Sequence, residues 1–255
     1  MMEPLLRLQD VSVNFSGLQA LSNVTFDSFA GEVRAVIGPN GAGKTTLFNA
    51  ISGYVASTSG SIMLNGEPID GLPPHEISAK GVRRTFQTGG LFPELSALEN
   101  VLAGLHVQIK SGFLSIVLGL PEAREAEREA IVRARKLLDL MDLGAIAEQP
   151  VKDLSGGQQR MVEIVRTLAT EPPLLLLDEP VVGLSPPMRD RMMEIIRRLA
   201  GEEGIGIMLI EHVIDLVMSG SDTIVVLSSG QLIAEGTPAE VRQNREVLEA
   251  YLGHA

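Results

Sequence analysis

The octapeptide Gly38-Pro39-Asn40-Gly41-Ala42-Gly43-Lys44-Thr45 fits G-x-x-x-x-G-K-[ST], a spacing that lets a glycine-rich backbone close around phosphate oxygens. Its N–H groups turn inward, the following helix presents its positive end, Lys44 bridges the β- and γ-phosphates, and the Thr45 hydroxyl ligates Mg²⁺. The alternative is a glycine-rich turn with an exposed lysine, and the apolar run before it and the helical pattern after it weigh against that. A second group stands in Leu174-Leu175-Leu176-Leu177-Asp178-Glu179, where four apolar residues run into two carboxylates. Read as a buried strand ending at an active edge, it sets Asp178 to hold Mg²⁺ through water and Glu179 to face an attacking water, the roles divided because side chains alternate along a strand. The plainer reading has both carboxylates opening a turn before Pro180. A third group, Leu154-Ser155-Gly156-Gly157-Gln158, begins a helical pattern in Met161, Ile164, Val165 and Leu168. A serine N-cap followed by two glycines exposes N–H groups at the positive end of a helix and makes a second anion site, or simply a capped helix.

The elements that must carry these groups follow from periodicity. Val11, Val13 and Phe15 alternate with polar neighbours, Leu21 to Phe26 is mixed, and Val33 to Ile37 is a buried-type run, so the chain opens in strands. A helix starts at Lys44, and the Gly-punctuated stretch Ser57 to Gly71 contains a short strand signal at Ser61 to Leu64. From Ser96 the pattern is helical, opened by the capping box Ser96-Ala97-Leu98-Glu99. A second helix has Pro121 in its first turn and a solvated face of Glu125, Arg128, Glu129 and Arg133 at i,i+3 and i,i+4 spacing. From Leu174 the alternation returns, with strands at Leu174 to Leu177, Ile205 to Ile210 and Thr223 to Leu227 separated by helices, which is the pattern of a parallel sheet with crossovers. Met188, Met192, Ile195, Ile196 and Leu199 form the core face of one crossover. A helical insert thus interrupts an α/β domain.

Composition narrows the partners. The 255 residues hold 21 Lys+Arg against 32 Asp+Glu, a net charge of −11 with no local basic patch, which disfavours nucleic acid. Absence of cysteine excludes disulfides, thiolate metal sites and a cysteine nucleophile. Mean hydropathy is +0.20, yet the best membrane candidate, Val101 to Leu120, is interrupted by His106, Gln108 and Lys110, and its run Phe113 to Leu120 is too short to span. The first residues, MMEPLLRLQD, lack a basic region before an apolar stretch and are not expected to act as a secretory signal.

Taken together these residues resemble the ATP-binding subunits of ABC transporters, along essentially the whole chain. The resemblance adds Phe15 as the aromatic that stacks on adenine, Gln87 in Arg84-Thr85-Phe86-Gln87 as the Q-loop, Gly183-Leu184-Ser185 as the D-loop and His212 in Glu211-His212 as the switch histidine. Ser185 stands where the family commonly has Asp or Asn. The implied fold is a P-loop NTPase core of mainly parallel sheet, with an N-terminal antiparallel β subdomain and an inserted α-helical subdomain. Residues 1–87 and 160–255 would form the core and 88–159 the insert. The implied ligands are ATP and Mg²⁺. Nucleotide would be bound by Phe15, by Gly38 to Lys44, Thr45 and Thr46, and by Ser155, Gly156, Gly157 and Gln158. The metal would be held by Thr45, Gln87 and Asp178, and catalysis would rest on Glu179, His212, Gln87 and Lys44. Each has a plainer competitor: Phe15 shares the alternating face of Val11 and Val13 and fits a core face equally, and Gln87 fits an ordinary polar loop. His75, His106 and His254 lack such a setting and read as surface residues.

In that family two subunits sandwich two ATP molecules, each held by the P-loop of one and the signature helix of the other, so Ser155 need not approach Lys44 of its own chain. Gly81 to Gln87, the lengthened connection from Leu105 to Leu120, Gln158-Gln159-Arg160, Gly236-Thr237-Pro238 and Tyr251-Leu252-Gly253 are similar to the larger ATPase subunit of branched-chain amino-acid importers. Gly157 stands where that branch often has a larger residue. The resemblance implies membrane permease subunits, docked near Gln87 to Leu105, a second ATPase subunit, identical or homologous, and a solute-binding protein acting indirectly, with the chain at the cytoplasmic face of the membrane. Related lipopolysaccharide-exporting ATPases share much of the core and ending. A soluble ABC ATPase of translation or DNA repair is a more distant reading, since those carry tandem modules, coiled coils or basic extensions.

Overall fold

The computed structural model describes residues 3–85, 90–105 and 121–252. They form two compact units, one built from the chain up to Arg84 and again from Pro173, the other from Thr85–Pro172. The first unit begins with β1 (Leu6–Phe15), β2 (Leu18–Ser28), β3 (Val33–Ile37), α1 (Lys44–Ile51), β4 (Ser59–Leu64), β5 (Glu67–Pro68), α2 (Pro74–Ala79) and β6 (Val82–Arg84). The second contributes α3 (Ala97–Leu105), α4 (Pro121–Leu140) and α5 (Gly156–Leu168). The first then resumes with β7 (Leu174–Asp178), α6 (Pro186–Glu203), β8 (Gly206–Ile210), α7 (Ile214–Gly220), β9 (Thr223–Ser228), β10 (Gln231–Gly236), α8 (Pro238–Gln243) and α9 (Arg245–Leu252).

The larger sheet of the first unit has the order β10-β9-β3-β8-β7-β6, with β10 antiparallel to β9 and every other pairing parallel. Strands β3, β7 and β8 are buried at every position, as parallel strands covered on both faces must be. Their registers align Val36 with Ile210 and Ile210 with Asp178, so three neighbouring strands end on one line. The phosphate loop, Asp178, Glu179 and His212 lie at or just beyond that line. Helix α1 caps the sheet through Leu47, Phe48 and Ile51, and α6 through Met192, Ile195, Ile196 and Leu199, all fully or nearly fully buried. Met188 is only half-buried.

The smaller sheet is antiparallel, in the order β2-β1-β4-β5. The alternation of β1 slips by one residue midway: Leu6 and Leu8 face the core, then Val11 and Val13. A bulge absorbs the extra residue at Asp10, whose φ is 52° and where the pairing with β2 shifts. On the facing strand Gly60 has φ +86°, and a Cβ there would stand 2.4 Å from the Asp10 carbonyl oxygen.

In the second unit the capping box at α3 is formed: Ser96 N–H donates to Glu99 Oε2 at 2.7 Å and Glu99 N–H to Ser96 Oγ at 3.1 Å. Asn100, fully buried, donates to the carbonyls of Phe92 and Ser96, both at 3.0 Å, and accepts from Phe92 N–H at 2.8 Å. The charged face of α4 departs from its sequence pattern. Glu125 and Arg128 stand 3.8 Å apart, but Arg133 reaches off the helix to the Ala169 carbonyl and the Glu171 carboxylate, at 2.9 and 2.7 Å, and so ties α4 to the end of α5. Helix α5 runs unbroken through position 160, and the compact unit continues to Pro172. Among the described residues no helix is long and apolar enough to cross a membrane.

Candidate functional site

Between β3 and α1 the chain makes the turn that the glycine spacing demands. Gly38 has φ +149°, and a Cβ on it would lie 2.1 Å from the Leu227 carbonyl oxygen. Gly43 has φ +102°, and a Cβ would lie 2.7 Å from that of Ala20. Only glycine lets the loop pass between β2 and the β9–β10 turn. That turn braces it, since Gly230 N–H donates to the Ala42 carbonyl at 3.0 Å. Lys44 opens α1 and is buried, its ammonium donating to the carbonyls of Gly38 and Pro39 at 2.7 and 3.0 Å. Burial pushes its pKa down, and the carboxylates of Glu179 and Asp178 push it back up.

The loop floors a cleft of about 580 Å³ lined by Phe15, Leu18, Gln19, Ala20, Asn40 to Thr46, Glu179, Ile210, His212, Ser229 and Gly230. Phe15 does not extend the core face. It is 45% exposed, beside the 70%-exposed Leu18 with which it pairs across the β1–β2 turn, and both side chains line the cleft.

Asp178 ends β7, buried, and its Oδ2 accepts from Arg84 at 2.8 Å. Arg84 also donates to Asn49 Oδ1 at 2.7 Å and packs its guanidinium 5.6 Å from the centre of the Phe48 ring. Glu179 points elsewhere, though not by strand alternation. Its backbone has left the strand, with φ at 49°, while its N–H still donates to the Ile210 carbonyl at 2.9 Å. This non-glycine residue held in the left-handed region is the strain expected where a side chain is aimed for function. Its Oε1 meets His212 Nε2 at 2.9 Å. The backbone of His212 is held in turn by Glu211, a fully buried carboxylate that accepts from His212 N–H at 3.1 Å and from Val181 N–H at 2.9 Å. Burial pushes the Glu211 carboxyl up, opposed by those two N–H donors.

Lys44, Thr45, Thr46, Glu179, His212 and Phe15 thus share one cleft. Gln87 and the connection 106–120 lie outside the described residues. Ser155 caps α5 in the second unit: Gln158 N–H donates to Ser155 Oγ at 3.3 Å and Ser155 N–H to Gln158 Oε1 at 2.9 Å, all at the surface. Gly156 beside it is exposed and a Cβ there would meet nothing. Ser185 stands at the N-cap of α6 without a side-chain cap bond. His75 is at the surface and His106 and His254 lie outside the described residues. Arg84 and Glu211 emerge only in three dimensions, because each acts through a residue distant in sequence.

Thr45 and Asp178 are hard oxygen donors, a set that suits Mg²⁺, which keeps several waters and takes few protein ligands. With the lysine and the inward-turned backbone, the cleft is equipped to hold a nucleoside triphosphate and to orient water at its end.

Comparison with known proteins agrees with this geometry. Residues 21–182 match the family model described as ABC transporter, and residues 231–255 match that of the branched-chain amino acid ATP-binding cassette transporter. The high-affinity branched-chain amino acid transport ATP-binding protein BraF of Pseudomonas aeruginosa is 43% identical over 255 residues, the whole of both chains. LivG of Escherichia coli K12, of the same description, is 41% identical, again over the whole of both. The ADP conformation of MJ1267, an ATP-binding cassette of an ABC transporter, superposes with a TM-score of 0.85 at 32% identity, covering 99% of this chain and 100% of that one. With its α/β P-loop fold and a phosphate loop, two carboxylates and a histidine at the ends of adjacent strands, the chain belongs to the ATP-binding ATPase subunits of ABC transporters.

Proposed function

We propose that this chain powers a branched-chain amino-acid importer by hydrolysing ATP at the Glu179–His212 pair. The observation that carries the reading is that pair, 2.9 Å apart, lining the same cleft as Lys44. Phe15 stacks on adenine, a contact typically worth ~1–3 kcal/mol for aromatic–base pairs. The loop Gly38 to Gly43 cradles the phosphates, Lys44 bridges the β- and γ-phosphates, and Thr46 adds to the cradle. Thr45, Asp178 and Gln87 would hold Mg²⁺, which when bound would supply positive charge against that developing on the phosphoryl oxygens. Glu179 orients the attacking water, and His212 positions Glu179 and contacts the γ-phosphate. A second ATPase subunit presents Ser155, Gly156, Gly157 and Gln158 to this nucleotide, the solvent-facing N-terminus of α5 supplying free N–H groups for the purpose. Closure and release of the pair then rock permease subunits at the cytoplasmic face of the membrane, with a solute-binding protein delivering the amino acid. The relatives' names supply the substrate class; the permease decides the solute.

Substituting Glu179→Gln should leave ATP affinity within about twofold and slow hydrolysis by about 10²–10⁴-fold, the usual contribution of a positioned base. Lys44→Ala should abolish calorimetric ATP binding. Wild-type turnover in the first variant or wild-type affinity in the second would overturn the assignment. In the complex purified with its permease, leucine-loaded binding protein should stimulate ATPase activity; stimulation by lipopolysaccharide instead would make the chain an exporter subunit.

A further inference from the structure

The catalytic pair is held from behind by a carboxylate that the nucleotide chemistry does not use. Glu211 is the first residue after β8 and is 1% exposed. Its two oxygens are divided: Oε1 accepts from Val181 N–H at 2.9 Å, and Oε2 from the N–H of His212 at 3.1 Å. Val181 stands two residues beyond Glu179, in the turn closed by Val182 N–H on the Glu179 carbonyl at 3.3 Å. One side chain therefore ties the backbone that carries the histidine to the turn that carries the glutamate. The strand ends alone do not fix the pair, because Glu179 has left β7 with φ at 49° and its N–H bond to Ile210 constrains only its own backbone. A buried carboxylate is costly to keep unless its oxygens are used, and here both accept backbone N–H groups from the two segments whose side chains must meet.

We infer that Glu211 is a positioning residue for ATP hydrolysis, setting the Glu179–His212 contact by joining the Val181 turn to the His212 backbone. This rests on the reading of Glu179 and His212 given above. It deepens that reading by assigning to Glu211 no contact with nucleotide, water or metal. Substitution should therefore alter turnover and leave nucleotide affinity alone, since the phosphate loop and Lys44 are not among its partners.

The test is Glu211→Gln in the full chain. The amide keeps the shape and one acceptor oxygen but turns an N–H₂ group toward one of the two backbone donors, so one tie is lost. The chain has four histidines, so protein labelled with ¹⁵N-histidine gives few enough ring signals to follow His212 directly. The expected result is a kcat about tenfold lower, as for one lost hydrogen-bonded tie to a charged group, a KM for ATP within twofold, and a shifted His212 Nε2 resonance while the other three stay in place. Glu211→Asp, which keeps the charge on an arm too short to span both donors, should do the same and serves if the glutamine variant does not fold. A wild-type kcat with an unmoved His212 signal in a folded variant overturns the inference, as does a parallel change of kcat and KM. Glu179→Gln run alongside separates the two claims: if it turns over normally, the role of Glu179 falls, whereas an unmoved His212 ring in Glu211→Gln strikes at Glu211 alone.

Discussion

At Asp178 the metal-facing carboxylate is also half of a buried ion pair, its side chain 7% exposed and that of Arg84 6%. Removing Arg84 takes a close partner from the buried Asp178 carboxylate, which Lys44 also faces, so the cost lies at or below the ~3–5 kcal/mol typical of breaking a buried pair. Arg84→Met should lower unfolding free energy by up to that much in urea titrations, and the double variant Arg84→Met, Asp178→Asn should recover much of it. Equal stability of the two variants would show that the pair contributes nothing beyond side-chain volume. Arg84 was visible in the sequence only as the neighbour of Thr85 and Gln87, with no sign that it faces a carboxylate 94 residues away. Lys44, Thr45, Asp178 and Glu179 could be picked out from local pattern, a glycine loop and the end of an apolar run, whereas His212 was singled out only by the family resemblance. Their partners were not legible, because burial and pairing are properties of the assembled sheet. Asp178 and Glu179 do face different partners, but the left-handed turn at Glu179 sets this rather than the strand alternation expected.

Among the elements, β1 shows where periodicity misleads. An uninterrupted alternation of Val11, Val13 and Phe15 would bury the aromatic, yet the pairing with β2 shifts again between Val13 and Asn14, and the strand's end turns Phe15 into the cleft. The parallel strands were easier to read, because burial on both faces leaves an unbroken apolar run and their ends differ from expectation by one residue at most. Gly60 faces the bulge, and its replacement tests how rigidly the bulge is held. In Gly60→Ala the Cβ pays both for φ +86° and for a 2.4 Å approach to backbone. Gly17→Ala pays only for φ +96°, with nothing within 4 Å. The left-handed conformation alone costs a non-glycine residue roughly 1–2 kcal/mol. Gly17→Ala should then lower Tm by a few degrees, about 2–4 °C per kcal/mol for a chain of this size, and Gly60→Ala by clearly more. Equal shifts would mean that β1 and β4 part at no cost and that the bulge is soft.

For the molecule as a whole, the net charge of −11 and the ionisations that folding perturbs make a joint prediction about acid. Asp27 is held below its ordinary 3.8 by its hydrogen bond from Arg7, and Glu67 below 4.5 by that from Lys80. Glu99 and Glu240 are held below 4.5 by the backbone N–H groups of Ser96 and Thr237. Each lowered group stabilises the fold fully above its unfolded value, and the contribution is lost as pH falls through the folded one. Glu211 runs the other way. Burial raises its carboxyl above 4.5, so the folded chain keeps that proton where the unfolded chain gives it up, and the penalty is relieved as pH falls through the raised folded value toward 4.5. Self-repulsion of the acidic surface is relieved over the same range. Unfolding free energy, measured in urea at a series of pH values, should therefore rise on acidification toward pH 4.5 and fall below it. Salt separates the two sources of the rise. In about 1 M salt the screening length is ~3 Å and the surface contribution vanishes, while that of the buried Glu211 persists. Glu211→Gln should keep the rise at low salt and lose it at high salt. A rise at high salt that survives in the variant would assign the acid optimum to some other buried group.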